Sequence, residues 1–412
     1  MLVKNARLIT AENKEILRDI LITAGLITKI EASIPETEAR DGEVLDAGGK
    51  LVLPGLVDPH THMRDPGLTH KEDFSTGSLA AARGGVTVFL DMPNTSPATI
   101  TPEILEEKKK QAVGRAWVDY GFYFGGSKSD NSAEIPKTWG KVAATKVFLN
   151  VSTGDMLVED VAVLERIFRN SKLVAVHAEG DMVHRAIDLC EKTGVPLYLC
   201  HLSLASEVQA LAAAKAKGLP VYGEATPHHL FLTGEDREKD GYTRQFLRMK
   251  PELKEKSDVD CLWRAIQEGV IDTIGTDHAP HTLEEKTAKL TSGVPGVEHS
   301  LEMVLRAVEE GKITLARLTE LMSAKPAEIF GIAGKGGIKP GNHGDLVIVD
   351  TRDHSLIGED KIISKCGWTP YAGFKRGGRV LTTVLRGRVV YDRGNFSGPW
   401  GREVTYNNSS DE

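Results

Sequence analysis

From residue 51 to residue 276 the chain alternates short, continuously apolar runs with amphipathic stretches of helical period. The apolar runs are Leu51 to Asp58, Val86 to Met92, Val118 to Phe124, Ala144 to Asn150, Leu173 to Val176, Pro196 to Cys200, Pro220 to Glu224 and Ile271 to Thr276. A strand that is apolar on both sides belongs in a parallel sheet covered on both faces. Helices are expected between the runs, at Asp160 to Arg169, Asp181 to Lys192, Leu204 to Lys217 and Val259 to Glu268. Eight such runs predict an α/β fold, a (β/α)8 barrel of the TIM kind rather than an open doubly wound sheet. No glycine-rich dinucleotide or phosphate loop follows any run, which leaves a Rossmann reading without support.

The two ends of the chain are patterned differently. Short β runs separated by polar, glycine-containing turns occupy Leu2-Val3, Ile20 to Ile22 and Leu26 to Ile30. They return at Gly344 to Val349, Val380 to Arg386 and Arg388 to Tyr391. This predicts a small, discontinuous β domain made of residues 1–50 and 340–395, flanking a barrel of residues 51–339. Residues 396–412 are a C-terminal tail, and its polar end, Asn407 to Glu412, is expected to be disordered.

Bulk composition narrows the classes without choosing among enzymes. With 41% hydrophobic residues among 412, the chain can bury a large core. A formal charge of -7 and the lack of any lysine–arginine cluster argue against nucleic acid as a partner. Cys190, Cys200, Cys261 and Cys366 are dispersed and form no CxxC pair, so neither a thiolate zinc site nor a disulfide framework is indicated. Met1 to Ala11 is not a signal peptide, and no apolar run is long enough to span a bilayer. A cytoplasmic protein with no membrane partner is expected.

In a barrel of this kind the chemistry sits at the C-terminal ends of the strands. Strand one ends in Asp58-Pro59-His60-Thr61-His62, strand four carries Lys146, and strands five, six and eight end at His177, His201 and Asp277. Alone, each has an ordinary reading: a surface histidine, a helix cap for Asp277, a snorkelling lysine. Together on one rim they form an imidazole and carboxylate set suited to a divalent ion such as Zn2+. His60 and His62, two apart on a strand, point to the same side and can share one ion.

This layout resembles the amidohydrolase superfamily over nearly the whole chain, from Leu2 to Asp392. The resemblance implies two zinc ions per subunit, the more buried one on His60, His62 and Asp277 and the second on His177 and His201. Lys146, in Thr145-Lys146-Val147-Phe148-Leu149-Asn150, matches the lysine that becomes an N-carboxylysine bridging both metals. Some relatives use an aspartate instead, for which Asp155 is the weaker candidate.

Within that superfamily three motifs are similar to those of dihydroorotases: Met63-Arg64-Asp65-Pro66-Gly67, Met92-Pro93-Asn94-Thr95, and Gly275 to Thr282 around Asp277. Arg64 offers a planar, permanently charged fork for a substrate carboxylate, with Asn94 and His281 as further contacts. The implied reaction is the reversible cyclisation of N-carbamoyl-L-aspartate to L-dihydroorotate in pyrimidine (UMP) biosynthesis. A hydroxide bridging the metals would be the nucleophile, with Asp277 as general base and then acid. Hydantoinases and allantoinases resemble the chain in the metal ligands, but their rings lack the carboxylate that Arg64 would bind. One motif departs: Met249-Lys250-Pro251-Glu252-Leu253-Lys254 stands where many dihydroorotases carry Asn-Pro-Pro-Leu-Arg, so Lys250 or a backbone group must replace a ring-binding asparagine. Pro295 and Gly296, in a glycine-rich turn, resemble the loop that lines the ring. Cys200 is expected to face away from His201 into the core, and Asp73, Arg83 and His70 read as structural. A homo-oligomer, or association with other pyrimidine-pathway enzymes, fits the resemblance. The rival of a different class is a relative without catalytic activity serving in an assembly; such proteins lose metal ligands, and this chain keeps them.

Overall fold

The computed structural model describes residues 1–39, 43–151, 156–238 and 245–407. Asp155 and the last residues of the tail, 408–412, lie outside the described residues. The first strands are β1 (Leu2–Ile9), β2 (Glu15–Thr23), β3 (Leu26–Glu31), β4 (Val44–Asp46) and β5 (Leu51–Pro54). The middle of the chain supplies β6 (Leu56–Thr61), β7 (Val86–Asp91), β8 (Asp119–Phe122), β9 (Phe124–Gly125) and β10 (Thr145–Phe148). It continues with β11 (Val174–His177), β12 (Leu197–Leu199), β13 (Val221–Ala225) and β14 (Thr273–Ile274). The chain closes with β15 (Leu346–Asp350), β16 (Arg379–Leu385), β17 (Arg388–Asp392) and β18 (Asn395–Phe396).

Strands from both ends share one nine-stranded sheet, in the order β18-β17-β16-β15-β5-β1-β2-β3 with β4 on β1. Its centre joins the two ends of the chain: Val52 of β5 stands opposite Ile348 of β15, and Arg7 of β1 opposite Leu51. One face packs Val3, Ala6, Ile20, Ile22, Val52, Ile348 and Val384 together. The opposite face of its central strands is buried as well, with Leu51, Leu53, Val347 and Val349 joining the main core.

The middle strands run parallel to their neighbours, as β6-β7-β8 and as β9-β10-β11-β12-β13-β14. The two sets meet where Ala143 N–H donates to the Phe122 carbonyl at 2.8 Å. At the other side a parallel bridge joins Thr61, at the end of β6, to His278, just after β14. Helices including Phe74–Arg83, Asp181–Thr193, Ala205–Ala216 and Lys256–Gln267 intervene between strands. Asp73, read as structural from sequence, caps the first of these by accepting from Ser75 N and Thr76 N. Side chains on both strand faces are buried: Phe89, Val147 and Val176 in one cluster, Val88, Ala175 and Tyr198 in another. Among the described residues no helix is long and apolar enough to cross a membrane.

The run Leu51 to Asp58, expected as one barrel strand, divides. Leu51–Pro54 belongs to the mixed sheet and Leu56–Thr61 to the parallel set, with Gly55 between them. Both halves are buried, so hydrophobicity alone gave no sign of the break. At Gly55 a Cβ would lie 2.2 Å from Thr87 Oγ1 and 2.9 Å from Asp345 Cβ, a contact the backbone on both sides cannot relieve. Gly55→Ala is therefore expected to lose about 1–3 kcal/mol of stability by overpacking. A melting temperature equal to that of the parent would show that this junction has slack.

Candidate metal and substrate site

The strand ends bring the expected ligands together. Nitrogens of His60 and His62 and a carboxylate oxygen of Asp277 all lie within 4.8 Å of one another. Asp277 Oδ1 is 3.0 Å from His62 Nε2 and 3.3 Å from His60 Nε2. The second pair, His177 and His201, face each other with Nδ1 and Nε2 2.9 Å apart, and the His201 ring centroid is 5.2 Å from that of His60. Lys146 is buried beside them, its Nζ 2.9 Å from Cys200 Sγ and 5.2 Å from the centre of the Phe148 ring. Among the described residues the Lys146 amine has no carboxylate at ion-pair distance.

Burial and neighbouring charges together set the charge states. Desolvation lowers the pKa of His62 to about 3 and pushes His177 and His201 down as well, with His177 adding to the effect on His201. Their imidazoles are thus held neutral, the form that donates a lone pair to a metal. Burial opposes charge on His60 too, but Glu224 and Asp277 hold its pKa well above the ordinary range. Asp277, against its own desolvation, is held well below the usual carboxylate range by His60 and His62. His201 Nδ1 is a buried nitrogen without a hydrogen-bond partner, while His177 Nε2 faces Glu179 Oε1 at 3.3 Å. Leaving such an atom unmatched costs about 1–3 kcal/mol, which a bound cation would relieve. The donor set and this orphaned nitrogen fit a divalent metal centre.

Backbone strain marks the same place. Arg64, His201 and Asp277 have φ of 60°, 37° and 44°, a region that non-glycine residues seldom occupy. At His201 this interrupts strand alternation, which corrects the expectation for Cys200. Its thiol shares a core cluster, as expected, but meets Lys146 rather than facing away from the site.

Beside the candidate ligands lies a narrow pocket lined by His62, Arg64, Asn94, Lys250, Asp277, Ala279, Ser292 and Gly293. Arg64 is only 2% exposed, and burial lowers its pKa to about 10. Its Nε donates to the Pro280 carbonyl at 3.2 Å and its Nη2 lies 3.2 Å from His281 Nε2. Among the described residues no carboxylate pairs with it. Asn94 lines the cavity and also accepts from His62 Nδ1 at 2.8 Å, which aims Nε2 at Asp277. Lys250 stands at the edge, its Nζ donating to the Val151 carbonyl at 2.7 Å. Of the glycine-rich turn, Ser292 and Gly293 line the cavity. Gly296 instead packs behind it, its N–H donating to His278 Nδ1 at 3.1 Å, and Pro295 beside it is buried.

Sequence reading missed Glu224, at the end of strand seven. Its Oε1 accepts from His60 Nδ1 at 2.7 Å and from the His201 backbone N–H at 2.9 Å, and its Oε2 from Tyr198 Oη at 2.8 Å. The signal was present, since a carboxylate ended an otherwise apolar run, but nothing paired it with a histidine in another strand. Asp58 was also passed over; it ties strand one to strand eight by accepting from Thr276 N at 3.0 Å. Partners that orient ligating histidines typically contribute 10- to 100-fold in metal affinity or activity. Glu224→Gln is expected to lose about that much, read as metal retained after dialysis against chelator.

Comparison with known proteins agrees with this geometry. Residues 51–390 match the model of the Amidohydrolase family. The dihydroorotase of Halobacterium salinarum is 35% identical over 94% of this chain and 99% of its own length. The multifunctional protein CAD of Squalus acanthias is 36% identical over 86% of this chain, a stretch that makes up 16% of that protein. Among solved structures, the L-hydantoinase (dihydropyrimidinase) of Arthrobacter aurescens superposes with a TM-score of 0.91 at 30% identity, covering 98% of this chain and 99% of its own. A candidate metal-ligand set at strand ends, a matching family model and full-length relatives lead to one conclusion: the chain belongs to the amidohydrolase family, among its dihydroorotases.

Proposed function

We infer that this site opens and closes a cyclic amide that carries a carboxylate. The chain is a dihydroorotase, interconverting N-carbamoyl-L-aspartate and L-dihydroorotate with loss or gain of water, a step of pyrimidine biosynthesis. One observation carries the choice of substrate: Arg64 is a buried guanidinium with no carboxylate partner among the described residues, facing a cavity next to the ligand cluster. Burying an unmatched charge is expensive, and a substrate carboxylate would relieve it. Hydantoinases resemble the chain over the whole fold, but a hydantoin or dihydrouracil ring brings no charge to Arg64.

His60, His62, His177, His201 and Asp277 would hold two zinc ions, with Lys146 carboxylated between them; a buried amine with no anionic partner gains from becoming a carbamate. Bound there, the metal supplies Lewis acidity and makes hydroxide available near neutral pH. The chain's own residues do the rest. Arg64 binds the carboxylate, with Asn94 and His281 at its sides and Lys250 near the ring. Asp277, ionised by its histidine neighbours, takes a proton as water adds to the ring carbonyl and delivers it to the leaving ring nitrogen. Closure of the parallel strands into a full (β/α)8 barrel, residence in the cytoplasm, and self-association or association with other enzymes of the pathway belong to the same reading.

The deciding experiment offers L-dihydroorotate, dihydrouracil, hydantoin and allantoin to the zinc-supplemented protein. Preference for L-dihydroorotate supports the reading. Preference for an uncharged ring would move the chain to the hydantoinases, and inactivity on all four with metal bound would make it a non-catalytic relative.

A further inference from the structure

Two backbone segments far apart in sequence help to wall the pocket: one carries Lys250, the other Ser292 and Gly293. A single side chain ties them together. Lys286, on the helix Leu283–Ala288, is fully buried, and its Nζ donates to the carbonyls of Arg248 at 2.7 Å, Gly293 at 2.8 Å and Thr291 at 3.0 Å. An ammonium has three N–H donors, and here each has a carbonyl acceptor. The Gly293 N–H donates to the same Arg248 carbonyl at 3.0 Å, so the segments also touch directly. On another side the Lys286 Nζ lies 5.7 Å from the centre of the Trp368 ring, whose Nε1 donates to the His281 carbonyl at 2.8 Å. Among the described residues no carboxylate pairs with Lys286. Burial, with the charges of Arg248 and Arg64 behind it, works against a cation there and lowers its pKa. A buried charge without a counter-ion is expensive, and its hydrogen bonds to the two segments are what it gains in return.

We propose that Lys286 is a positioning residue for substrate binding: its ammonium holds the segments Arg248 to Lys250 and Thr291 to Gly293 at the spacing that forms the pocket. This rests on the dihydroorotase reading of that pocket. Lys286 does not line the pocket, and its three donors are spent on the carbonyls, leaving none for the candidate metal ligands. Without the ammonium, the bond between Gly293 and Arg248 must hold the segments alone. A pocket assembled for only a fraction of the time binds more weakly by that fraction. Once filled, it presents the substrate to an unchanged set of ligands, so KM carries the loss and kcat does not.

The test is Lys286→Met in the full-length, zinc-supplemented enzyme. KM for L-dihydroorotate is expected to rise by about 10- to 100-fold, the range for losing a hydrogen bond from a charged group, with kcat and metal content nearly unchanged. Hydrogen–deuterium exchange reads the walls without substrate. The Gly293 amide, bonded to the Arg248 carbonyl, should exchange about tenfold faster in the variant. Lys286→Gln returns two of the three donors and should fall between the parent and the Met variant in both readouts. It carries the test alone should the Met variant fail to fold. An unchanged KM or an unchanged exchange rate at Gly293 would overturn the proposal. So would a fall in kcat or metal content as large as the rise in KM, which would make Lys286 a general stabiliser of the fold. A parent enzyme inactive on L-dihydroorotate would refute the substrate reading. Exchange at Gly293 would then judge the clamp by itself, faster exchange upholding it and unchanged exchange removing it.

Discussion

Arg64→Met is expected to lower kcat/KM for L-dihydroorotate by about 10^3-fold and to leave bound metal in place. Removing one partner of a buried, hydrogen-bonded charge pair costs about 2–5 kcal/mol, and each 1.4 kcal/mol is tenfold. The upper part of that range applies because Arg64 is 2% exposed, so water cannot take its place beside the substrate carboxylate. The strained φ of 60° at this residue aims the side chain, and methionine keeps length without charge. Activity on a ring lacking the carboxylate should fall little, because Arg64 donates to Pro280 and touches none of the ligands Asp277, His60 or His62. The measurement is kcat/KM on both substrates with metal content determined on the same preparations. A parallel fall on both would make Arg64 a structural residue and leave the carboxylate without a binding partner.

Asp277→Asn should be the more damaging change for the chemical step. The carboxylate contacts both His60 and His62, and burial among imidazoles keeps it ionised. An amide keeps the shape but can neither accept the proton nor offer a charge to a metal. General acid–base groups contribute about 10^2- to 10^4-fold, so kcat should drop by about 10^3-fold or more even in protein reloaded with zinc. KM should move less than kcat. An Asp277→Asn enzyme that retained metal and full turnover would remove this residue from the proton transfers.

Much of the candidate site could be expected from sequence because most of its proposed ligands stand at or just after the end of a strand of strong pattern. His177 and His201 follow apolar runs, and His60 and His62 are two apart in one. What could not be read depends on distance along the chain. Lys71 meets His281 across 210 residues and Trp368 meets it across 87, and no periodicity links such positions. Glu224 escaped because a glutamate at a strand end is unremarkable until the histidine it orients, 164 residues away, is placed beside it. Of the fold, the β character of both chain ends was legible from short runs between turns, and the parallel strands of the middle from continuous hydrophobicity. The change of sheet at Gly55 was not, since burial on both sides of it looks the same in sequence.

The seam between β5 and β15 also bears on how the protein is made. Ribosomes release the chain from the N-terminus, so β1 and β5 emerge long before the strand at Leu346–Asp350 that must lie beside Leu51–Pro54. Through that interval the edge of β5 is open, and an open edge invites pairing with other chains. The histidine cluster can gather once residue 277 has been synthesised, but Trp368, which steadies His281, is still to come. A nascent chain would therefore collect its ligands before it can recognise a substrate. Competence would arrive only in the last stretch of synthesis, when the late strands seal the early ones.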